Sequence, residues 1–345
     1  TDTGRMVVRH HGKIVADLPA SKLADDAPVY YREAREPAYL KKVHALTLDE
    51  IQASSNPLAD LQALLAWPTI ASKNWVYRQY DHMVRDGTVV CPGSDAAVLR
   101  LKGDSLPQLP AGSPLEGRPT PDKFLALASD CNAAYVYLDP YEGGKIAVAE
   151  CARNLACSGA MPLGVTDNLN FGNPHNPELF YQLKESVRGL AEACRLFDTP
   201  VTGGNCSLYN QNPAGPIDPA PTIAMVGVIE KPEHITTQWF KDEGDAIILL
   251  GEPVDAADPL QGLGGSAYLQ VRRQQKAGTP PRANLDVAKV LHTTLLGLIQ
   301  SGVVKSAHDC AEGGLAVCLA ESCISQQTAR ETPRLIGAQI DLSMF

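Results

Sequence analysis

Residues 145–171 read KIAVAECARNLACSGAMPLGVTDNLNF, a helical pattern followed at once by a strand pattern. Apolar side chains recur at positions 146, 149, 152, 155 and 156, the spacing of one face of an α-helix, and Gly159 ends that helix. The segment LGVTDNLNF, residues 163–171, then predicts a strand that runs into a polar loop. A helix and a strand in close succession indicate a domain of the α/β class.

Helices and strands are also predicted on both sides of this segment. Strand patterns occur at residues 95–101, 123–129, 133–138, 222–229 and 246–252. Longer helical patterns cover residues 177–196, 284–301 and 314–325. Nearer the start, the sequence predicts a hairpin over residues 5–18 and short helices at 38–45, 48–54 and 60–66. The polar segment 230–245 lies between two predicted strands and marks a domain boundary.

Composition and charge exclude several classes of protein. The chain has 345 residues, enough for about two domains, and a formal net charge of −9. An acidic chain without a block of Lys or Arg is a poor partner for nucleic acid, so no nucleic acid is expected. No apolar run approaches the roughly 20 residues of a membrane span, so no membrane association is expected. Nine cysteines without CxxC or metal-ligand spacing indicate a reduced, cytoplasmic protein.

The two ends of the chain indicate a piece of a longer protein. The sequence begins at Thr1 rather than at methionine and stops at Phe345, inside the strand-like run LIGAQIDLSMF. The predicted hairpin at residues 5–18 is too small to be stable by itself, so further strands of its sheet are expected before Thr1.

Several predicted strand ends carry small, acidic and amide residues, whereas the glycine-rich signatures of P-loop and dinucleotide-binding sites are absent. Asp167, Asn205 and Asp309 offer the hard oxygen ligands that Mg²⁺ prefers. Gly203 and Gly204 allow backbone N–H groups to approach a phosphate closely. Each of these loops alone is also typical of an ordinary turn, but their number favours a phosphate and metal site.

Two further features have more than one interpretation. Glu150 and Asn154 lie four residues apart on one face of the predicted helix, which is typical of a metal-binding face or of a solvated surface. His308 precedes Asp309 and suits either proton transfer or a structural hydrogen bond, of which the structural role is favoured. The other histidines have no Ser or Cys partner in a nucleophile motif, so a catalytic triad is not supported.

A set of motifs resembles one enzyme family. The set consists of SDAAVLRLKG (residues 94–103), residues 129–174, TPVTGGNCSLYN (199–210), PTIAMVGVIE (221–230), FKDEGD (240–245) and KSAHDCAEGGLAVCLAES (305–322). Over nearly all of its length the chain is similar to the phosphoribosylformylglycinamidine synthase family. Within that family it resembles the second half of the synthetase subunit of the small, multi-subunit type.

The resemblance implies a fold and a division into segments. The fold class is α/β (α+β), with an aminoimidazole-ribotide-synthetase-like N-terminal-type domain followed by a C-terminal-type mixed-sheet domain. The N-terminal-type domain spans residues 76–232, and an incomplete C-terminal-type domain spans 242–345. Residues 1–35 are then the tail of a preceding C-terminal-type domain, and residues 36–75 are a connector.

The resemblance also implies an ATP-dependent ligase of purine biosynthesis that uses Mg²⁺. Its reaction converts formylglycinamide ribonucleotide and ammonia from glutamine to formylglycinamidine ribonucleotide, through phosphoryl activation of the formamide oxygen. The implied partners are a glutaminase subunit that supplies ammonia, a small bridging subunit and the first half of the same chain. The family's catalytic histidines lie in that first half, so no catalytic residue is expected here and the fragment alone is expected to be inactive.

Four residues of this sequence match the family's binding positions. The resemblance implies that Asp167 and Gly204 contact ATP, that Asn205 is a magnesium ligand and that Ser207 contacts the substrate. Cys206 stands where relatives commonly have Val. Because the two side chains are similar in size and apolarity, the loop conformation is expected to be unchanged.

A second set of residues matches an auxiliary site. In the large single-chain relatives, the positions of Asp95, Glu150, Asn154 and Asp309 hold an additional nucleotide and its magnesium. The resemblance implies that the spacing needed for that site is preserved in this chain.

Two other functions are compatible with the same sequence. The chain can be a non-catalytic structural half that pairs with the catalytic first half and stabilises it. It can also be another ATP-using member of the superfamily, although the pair TDNLNFGNP and GGNCSLYN argues against that assignment.

Overall fold

The structure is a computed structural model that describes residues 2–80, 82–105, 120–251, 255, 257–324 and 335–343. The chain forms two compact units, Thr1–Glu33 and Ala34–Phe345. Within the described ranges, no helix has both the length and the apolar composition needed to cross a bilayer.

The first unit is a β-hairpin, which confirms the prediction for residues 5–18. Strand β1 (Arg5–His10) pairs antiparallel with β2 (Lys13–Pro19). The two turn residues, His11 and Gly12, both have positive φ (48° and 77°), which gives a turn whose twist matches that of the paired strands. Most side chains on both faces of the hairpin are exposed. A 3-10 helix (Ala20–Leu23) follows.

Short helices begin the second unit. They are α1 (Leu40–Val43), a 3-10 helix (Leu48–Glu50), α2 (Pro57–Leu65) and α3 (Asn74–Tyr77). The first two are shorter than the sequence predicts, because helices of one or two turns gain little stability from their own hydrogen bonds. The start of α2 is defined by Asn56, whose side chain accepts a hydrogen bond from the N–H of Ala59 at 3.1 Å.

A six-stranded mixed sheet organises the second unit. Its strands are β3 (Thr88–Val90), β4 (Ala97–Leu101), β5 (Lys123–Asp130), β6 (Met161–Asn170), β7 (Val201–Ser207) and β10 (Ala220–Ile229), in the spatial order β3-β4-β5-β10-β6-β7. All neighbours are antiparallel except β6 and β7, which are parallel. Strands β8 (Gln211–Asn212) and β9 (Gly215–Pro216) form a separate small ribbon. The predicted α/β class is confirmed.

Residues 133–138 are a helix, so the predicted strand at this position is wrong. Helix α4 (Ala133–Leu138) begins after Asn132, whose side chain accepts a hydrogen bond from the N–H of Tyr135. Asp139 ends α4 and caps α5 (Pro140–Cys157), where it accepts a hydrogen bond from Glu142 N at 3.0 Å. The β-favouring composition of AYVYL is thus outweighed by two helix caps and by packing of the apolar face.

Helix α5 packs on one face of the sheet together with α6 (Pro177–Phe197). The two helices touch through glycines. A Cβ on Gly189 would lie 2.0 Å from the carbonyl oxygen of Tyr141, and a Cβ on Gly144 would lie 2.5 Å from that of Ser186. The main core lies between these helices and the sheet, around buried Val98, Leu155, Val165, Ile223 and Met225.

The opposite face of the sheet is apolar but open. Residues that share this face by strand pairing include Leu99 of β4, Leu127 of β5 and Met161 of β6, and their side chains are 38%, 42% and 57% exposed. In β10 every second residue is buried on the helix side, and the intervening residues are half-buried. The sheet therefore has one covered face and one uncovered face.

The remaining part of the unit is mostly helical where the structure describes it. Its helices are α7 (Ala267–Arg273), α8 (Leu285–Gln300) and α9 (Gly314–Ile324). Residues 246–251 are not a strand, contrary to the prediction for 246–252, whose last residue lies outside the described range. The same holds for the described part, 335–343, of the strand-like run at the end of the chain. An apolar run becomes a strand only where a neighbouring strand pairs with it.

Candidate functional site

Two groups of polar residues lie in the second unit, and each contains residues that the sequence singled out. We call Asp167, Gly204, Asn205 and Ser207 the edge site, because all four lie on β6 and on the sheet's edge strand β7. We call the second group the acidic cluster. It comprises Asp95, Asp130, Glu150, Arg153, Asn154, His308, Asp309, Glu312 and Glu321.

The parallel pairing of β6 and β7 brings the edge-site residues together. Asp167 is the register partner of Gly204, and Asn168 is the partner of Asn205. The contact at Gly204 leaves no room for a side chain, because a Cβ there would lie 2.2 Å from Asp167 Oδ1. Partial burial raises the pKa of Asp167 above its ordinary value. Glycine at position 204 thus lets the Asp167 carboxylate lie directly against the edge strand.

The edge site uses both faces of the sheet. Adjacent residues of a strand point to opposite faces, so Asp167 and Gly204 face the helices while Asn205 and Ser207 face the open side. Asn205 Nδ2 donates to Asn168 Oδ1 at 3.3 Å, and this bond leaves the Asn205 amide oxygen as the atom that a cation would contact. The hydroxyl of Ser207 lies 3.2 Å from Asn210 Oδ1. A ligand that contacts all four residues therefore has to lie along the edge of β7.

The edge of β7 suits a phosphate-bearing ligand. In the described sheet β7 is the last strand, so one side of its backbone has no neighbouring strand. Residues 201–206 of this strand are exposed. Gly203 has open space around its Cα, because a Cβ there would meet nothing within 4 Å. Glycine backbone together with carboxylate, amide and hydroxyl groups is the donor set expected for magnesium and phosphate.

The acidic cluster is assembled around His308. The His308 Nδ1 atom lies 3.1 Å from both carboxylate oxygens of Asp95, and its Nε2 atom lies 2.9 Å from Glu321 Oε2. Asp95 Oδ1 also accepts a hydrogen bond from the N–H of Asp309 at 3.0 Å. Burial by itself lowers the pKa of His308, but Asp95 and Glu321 outweigh it and raise the pKa to about 11. His308 is therefore an imidazolium at neutral pH, which supports the structural role over proton transfer.

Arg153 is the second cation of the acidic cluster. Its Nη2 and Nε atoms donate to Asp309 Oδ2 at 2.8 and 3.1 Å, and Nη2 lies 3.9 Å from Glu150 Oε2. Although burial disfavours the charge on Arg153, Asp309 and Glu150 raise its pKa above the ordinary value. Asp309 is thus bound by an arginine 156 residues away in sequence.

The carboxylates of the acidic cluster outnumber its cations. Burial, followed by repulsion from neighbouring carboxylates, raises the pKa values of Asp130 and Glu150 well above their ordinary values and raises that of Glu312. Two side-chain amides donate hydrogen bonds to these carboxyl groups. Asn154 Nδ2 lies 3.3 Å from Asp130 Oδ2, and Asn132 Nδ2 lies 2.9 Å from Glu312 Oε1.

The residues of the predicted auxiliary site lie beside two protein cations, Arg153 and His308. Glu150 and Asn154 are buried (5% and 9% exposed), so the interpretation as a solvated helix surface is wrong. Asp95, His308 and Asp309 place ligand atoms within 4.8 Å of one another. In this structure Arg153 donates to Asp309 Oδ2, and the imidazole of His308 lies 3.1 Å from both oxygens of Asp95. Asp95 and Asp309 therefore take part in an ion-pair network in this structure, and the auxiliary metal site stays a prediction.

A cavity of about 110 Å³ adjoins the acidic cluster. Thr69 and Ile70 form one side, and the loop 308–312 with the side chains of Cys318 and Glu321 forms the other.

Sequence reasoning missed two members of the acidic cluster. Arg153 follows Glu150 by three residues, so helical spacing signalled their ion pair, but nothing local signalled Asp309 as its main partner. Glu321 lies 13 residues after His308 in sequence, and only the fold brings its carboxylate to the His308 ring. Asp130 and Glu312 also lie in this cluster, where they contact Asn154 and Asn132, and no role was predicted for them.

Comparison with known protein families agrees with this architecture. Residues 93–229 match the family described as AIR synthase related protein, N-terminal domain, and residues 242–332 match AIR synthase related protein, C-terminal domain. The chain belongs to the AIR synthase related family. The predicted resemblance is thereby confirmed at the level of the family.

The curated relatives it matches are long synthetase subunits. The chain is 48% identical, over 353 aligned positions, to "Phosphoribosylformylglycinamidine synthase subunit PurL" of Synechococcus elongatus. That alignment covers 97% of this chain and 44% of the relative. PurL of Synechococcus sp. gives the same identity and coverage. The chain therefore spans less than half of the length of these relatives.

Similar solved structures come from the same group. "T. maritima PurL complexed with ATP" has 25% identity and a TM-score of 0.46, with 68% of this chain and 32% of that chain covered. "Structure of PurLQS from Thermotoga maritima" has 26% identity and a TM-score of 0.47, with 68% and 33% covered.

Proposed function

We propose that the chain is the second half of a synthetase subunit that converts formylglycinamide ribonucleotide and glutamine-derived ammonia to formylglycinamidine ribonucleotide. The observation that carries this proposal is the 48% identity to PurL along 97% of the chain. The enzyme is then an ATP-dependent ligase of purine biosynthesis. Its partners are a glutaminase subunit, a small bridging subunit and the first half of the subunit.

The edge site is the part of this chain that would meet ATP and substrate. In this proposal Asp167 and the Gly204 backbone contact ATP, Asn205 binds Mg²⁺ and Ser207 contacts formylglycinamide ribonucleotide. The close fit of Gly204 against Asp167 and the open edge of β7 support these roles. Bound magnesium would neutralise charge during phosphoryl transfer, and the four residues would hold the reactants in position.

The open face of the sheet supports pairing with a first half. Leu99, Leu127 and Met161 leave on this face an apolar surface of the kind that marks a protein–protein contact. Asn205 and Ser207 point to the same side as this surface. A first half that covers this face of the sheet would therefore lie next to Asn205 and Ser207. Its histidines would then act as the catalytic residues, which are not expected in this chain.

The acidic cluster has a structural role in this proposal. It joins Asp95 and Arg153, from the segment that matches the N-terminal family domain, to His308 and Asp309, from the segment that matches the C-terminal one. We propose the domain limits 76–232 and 242–345 on this basis, with residues 1–35 and 36–75 as preceding tail and connector. The nine free cysteines support the proposal of a cytoplasmic protein.

Reconstitution tests the proposed reaction. The chain is mixed with the first half of S. elongatus PurL and with its glutaminase and bridging subunits, and ADP release that depends on formylglycinamide ribonucleotide is measured. We expect release well above that of the first half with its partners alone. Equal rates with and without the chain would contradict the proposal.

Two substitutions separate the catalytic role from the structural alternative. If Asp167→Ala and Asn205→Ala abolish the gain in ADP release while the exposed control Asp286→Ala retains it, the edge site takes part in the reaction. If all three variants restore activity as the unaltered chain does, the chain is a structural half. ADP release with another substrate in place of formylglycinamide ribonucleotide would indicate a different member of the superfamily.

A further inference from the structure

Asn210 lies beside Ser207, the residue of the edge site that is proposed to contact the substrate. Its backbone N–H donates to the carbonyl oxygen of Phe171 at 3.1 Å. The Phe171 N–H donates in turn to the carbonyl oxygen of Ser207, the last residue of β7, at 3.0 Å. Phe171 directly follows β6 and is 1% exposed, so these bonds attach Asn210 to a buried residue. The side chain of Asn210 therefore has a defined position beside Ser207.

The hydrogen bonds of the Asn210 side chain determine the orientation of its amide. Asn210 Nδ2 lies 2.8 Å from the carbonyl oxygen of Ser207 and 3.2 Å from that of Phe171. Carbonyl oxygens only accept hydrogen bonds, so the amide atom that faces both of them has to be the NH₂ group. The reversed amide would place Oδ1 against these two oxygens and would lose both bonds. Asn210 Oδ1 is therefore the atom that lies 3.2 Å from the Ser207 hydroxyl oxygen.

This orientation also determines the direction of the Ser207 hydroxyl proton. The hydroxyl oxygen lies 3.2 Å from Asn210 Oδ1 and 3.1 Å from Asn210 Nδ2. An amide nitrogen does not accept hydrogen bonds, so the hydroxyl donates its single proton to Oδ1. Ser207 then presents a lone pair of its hydroxyl oxygen to a ligand. A lone pair accepts a hydrogen bond from an N–H or O–H group, whereas an ionised phosphate oxygen offers no proton to it.

We propose that Asn210 is a positioning residue that makes Ser207 a hydrogen-bond acceptor, so that Ser207 binds an N–H or O–H group of the substrate rather than its phosphate. This inference rests on the proposed function, in which Ser207 contacts formylglycinamide ribonucleotide. That substrate carries amide N–H and ribose O–H groups as donors, and a phosphate whose oxygens accept. Asn210 acts through the Ser207 hydroxyl and does not itself contact the substrate.

Removal of the phosphate from the substrate tests which group Ser207 binds. The enzyme is reconstituted as for the proposed function, with the unaltered chain or with Ser207→Ala. Two constants are measured: the KM for formylglycinamide ribonucleotide and the inhibition constant of its dephosphorylated ribonucleoside. We expect Ser207→Ala to raise both constants by the same factor, roughly 2- to 10-fold, because each complex loses one neutral hydrogen bond. A rise for the nucleotide alone would identify a phosphate contact and overturn the proposal, as would no rise for either.

Substitution of Asn210 tests whether it acts through Ser207. We expect Asn210→Ala to raise the same two constants and to leave kcat unchanged. In the Ser207→Ala background it should raise neither constant further, because the two residues act as one unit. If Asn210→Ala raised the constants equally in both backgrounds, it would support the loop in general and the proposal would be wrong.

The matched control for Asn210 is a second asparagine of the same segment. Asn212 accepts a hydrogen bond from Ala214 N at 2.8 Å through its side chain, and that bond does not involve Ser207. Asn212→Ala therefore removes a local hydrogen bond near the end of β7 without releasing the Ser207 hydroxyl. We expect both constants to keep the values of the unaltered chain. A rise as large as that of Asn210→Ala would contradict a specific role of Asn210.

A neutron crystal structure of the deuterium-exchanged chain tests the direction of the hydroxyl without a measurement of activity. We expect deuterium between Ser207 Oγ and Asn210 Oδ1, and the amide deuterium atoms on the side of the two carbonyl oxygens. A reversed amide, or a hydroxyl deuterium that points away from Asn210, would overturn the proposal. If the unaltered chain gave no substrate-dependent ADP release, the proposed function would fail, and the neutron structure would still decide whether Ser207 is held as an acceptor.

Discussion

The edge site and the acidic cluster are built from the same kinds of residue, yet their environments differ. The edge site lies on an exposed edge strand, and its carboxylate, Asp167, is only partly buried. The acidic cluster is buried and contains its own cations, Arg153 and His308. Carboxylates that meet no internal cation remain available to a ligand, whereas carboxylates bound by arginine and imidazolium are used for stability.

The largest effect is expected for the cation of the acidic cluster. Arg153→Ala removes the close ion-pair partner of the buried Asp309, whose remaining cation, His308, is 3.9 Å away, so we expect the free energy of unfolding to fall by about 3–5 kcal/mol. Urea unfolding measures the change. The matched control is Arg188→Ala, which removes an exposed arginine from its pair with the partly buried Glu185 and is expected to cost at most about 1 kcal/mol. If the two variants lowered the free energy of unfolding equally, the acidic cluster would contribute no more to stability than a surface ion pair.

At the edge site, substitution is expected to lower activity strongly and stability only slightly. Asp167→Ala should reduce substrate-dependent ADP release of the reconstituted enzyme by roughly 10- to 100-fold, the worth of a hydrogen bond to a charged group. The free energy of unfolding should change by less than about 1 kcal/mol, because the carboxylate is partly solvated. A variant that unfolds more easily and retains its activity would show that Asp167 is structural.

The pH dependence of stability should come from the acidic cluster. The folded-state pKa of His308, about 11, lies above the ordinary 6.5, so its contribution is complete below pH 6.5 and is lost as pH rises toward 11. We expect the stability difference between the unaltered chain and His308→Gln to shrink over this range in urea unfolding at a series of pH values. If the difference in unfolding free energy between the two chains stayed constant up to pH 11, His308 would not be an imidazolium in the folded protein.

The smallest effect is expected to distinguish Gly204 of the edge site from its neighbour Gly203. Gly204→Ala places a methyl group 2.2 Å from Asp167 Oδ1 and must displace that carboxylate, so we expect roughly a tenfold loss of ADP release. Gly203→Ala meets open space and should retain activity. A Cβ at position 204 would also lie 2.7 Å from the backbone oxygen of Asp167, so we expect Gly204→Ala to lower the free energy of unfolding more than Gly203→Ala does. Equal activities of the two variants would exclude a positioning role for the Gly204–Asp167 contact.

Most elements were predictable from local pattern, and the errors have identifiable causes. Helix α5 and strand β6 follow from apolar periodicity, and the hairpin follows from its turn residues. Residues 133–138 look like a strand but form a helix, because the caps at Asn132 and Asp139 and packing against α5 outweigh β propensity. Residues 246–251 look like a strand but have no strand partner in the described part of the chain.

In the candidate site, too, some features could be predicted from the sequence and others could not. Motif resemblance singled out Asp167, Gly204, Asn205 and Ser207, and the parallel register of β6 and β7 brings all four to one sheet edge. Resemblance also singled out Asp95 and Asp309 as a metal site. It did not predict that the guanidinium of a residue on α5 would bind one of these carboxylates.

The sequence by itself determined the α/β class, the family and the residue types available for chemistry, because periodicity, caps and motifs are local properties of the chain. The tertiary structure alone decided which carboxylates are buried and what neutralises them. Burial and Coulomb interactions depend on neighbours in space, and Arg153 reaches Asp309 across 156 residues of sequence. For the same reason, only the fold shows that Asp167 and Asn205 lie on opposite faces of one sheet edge.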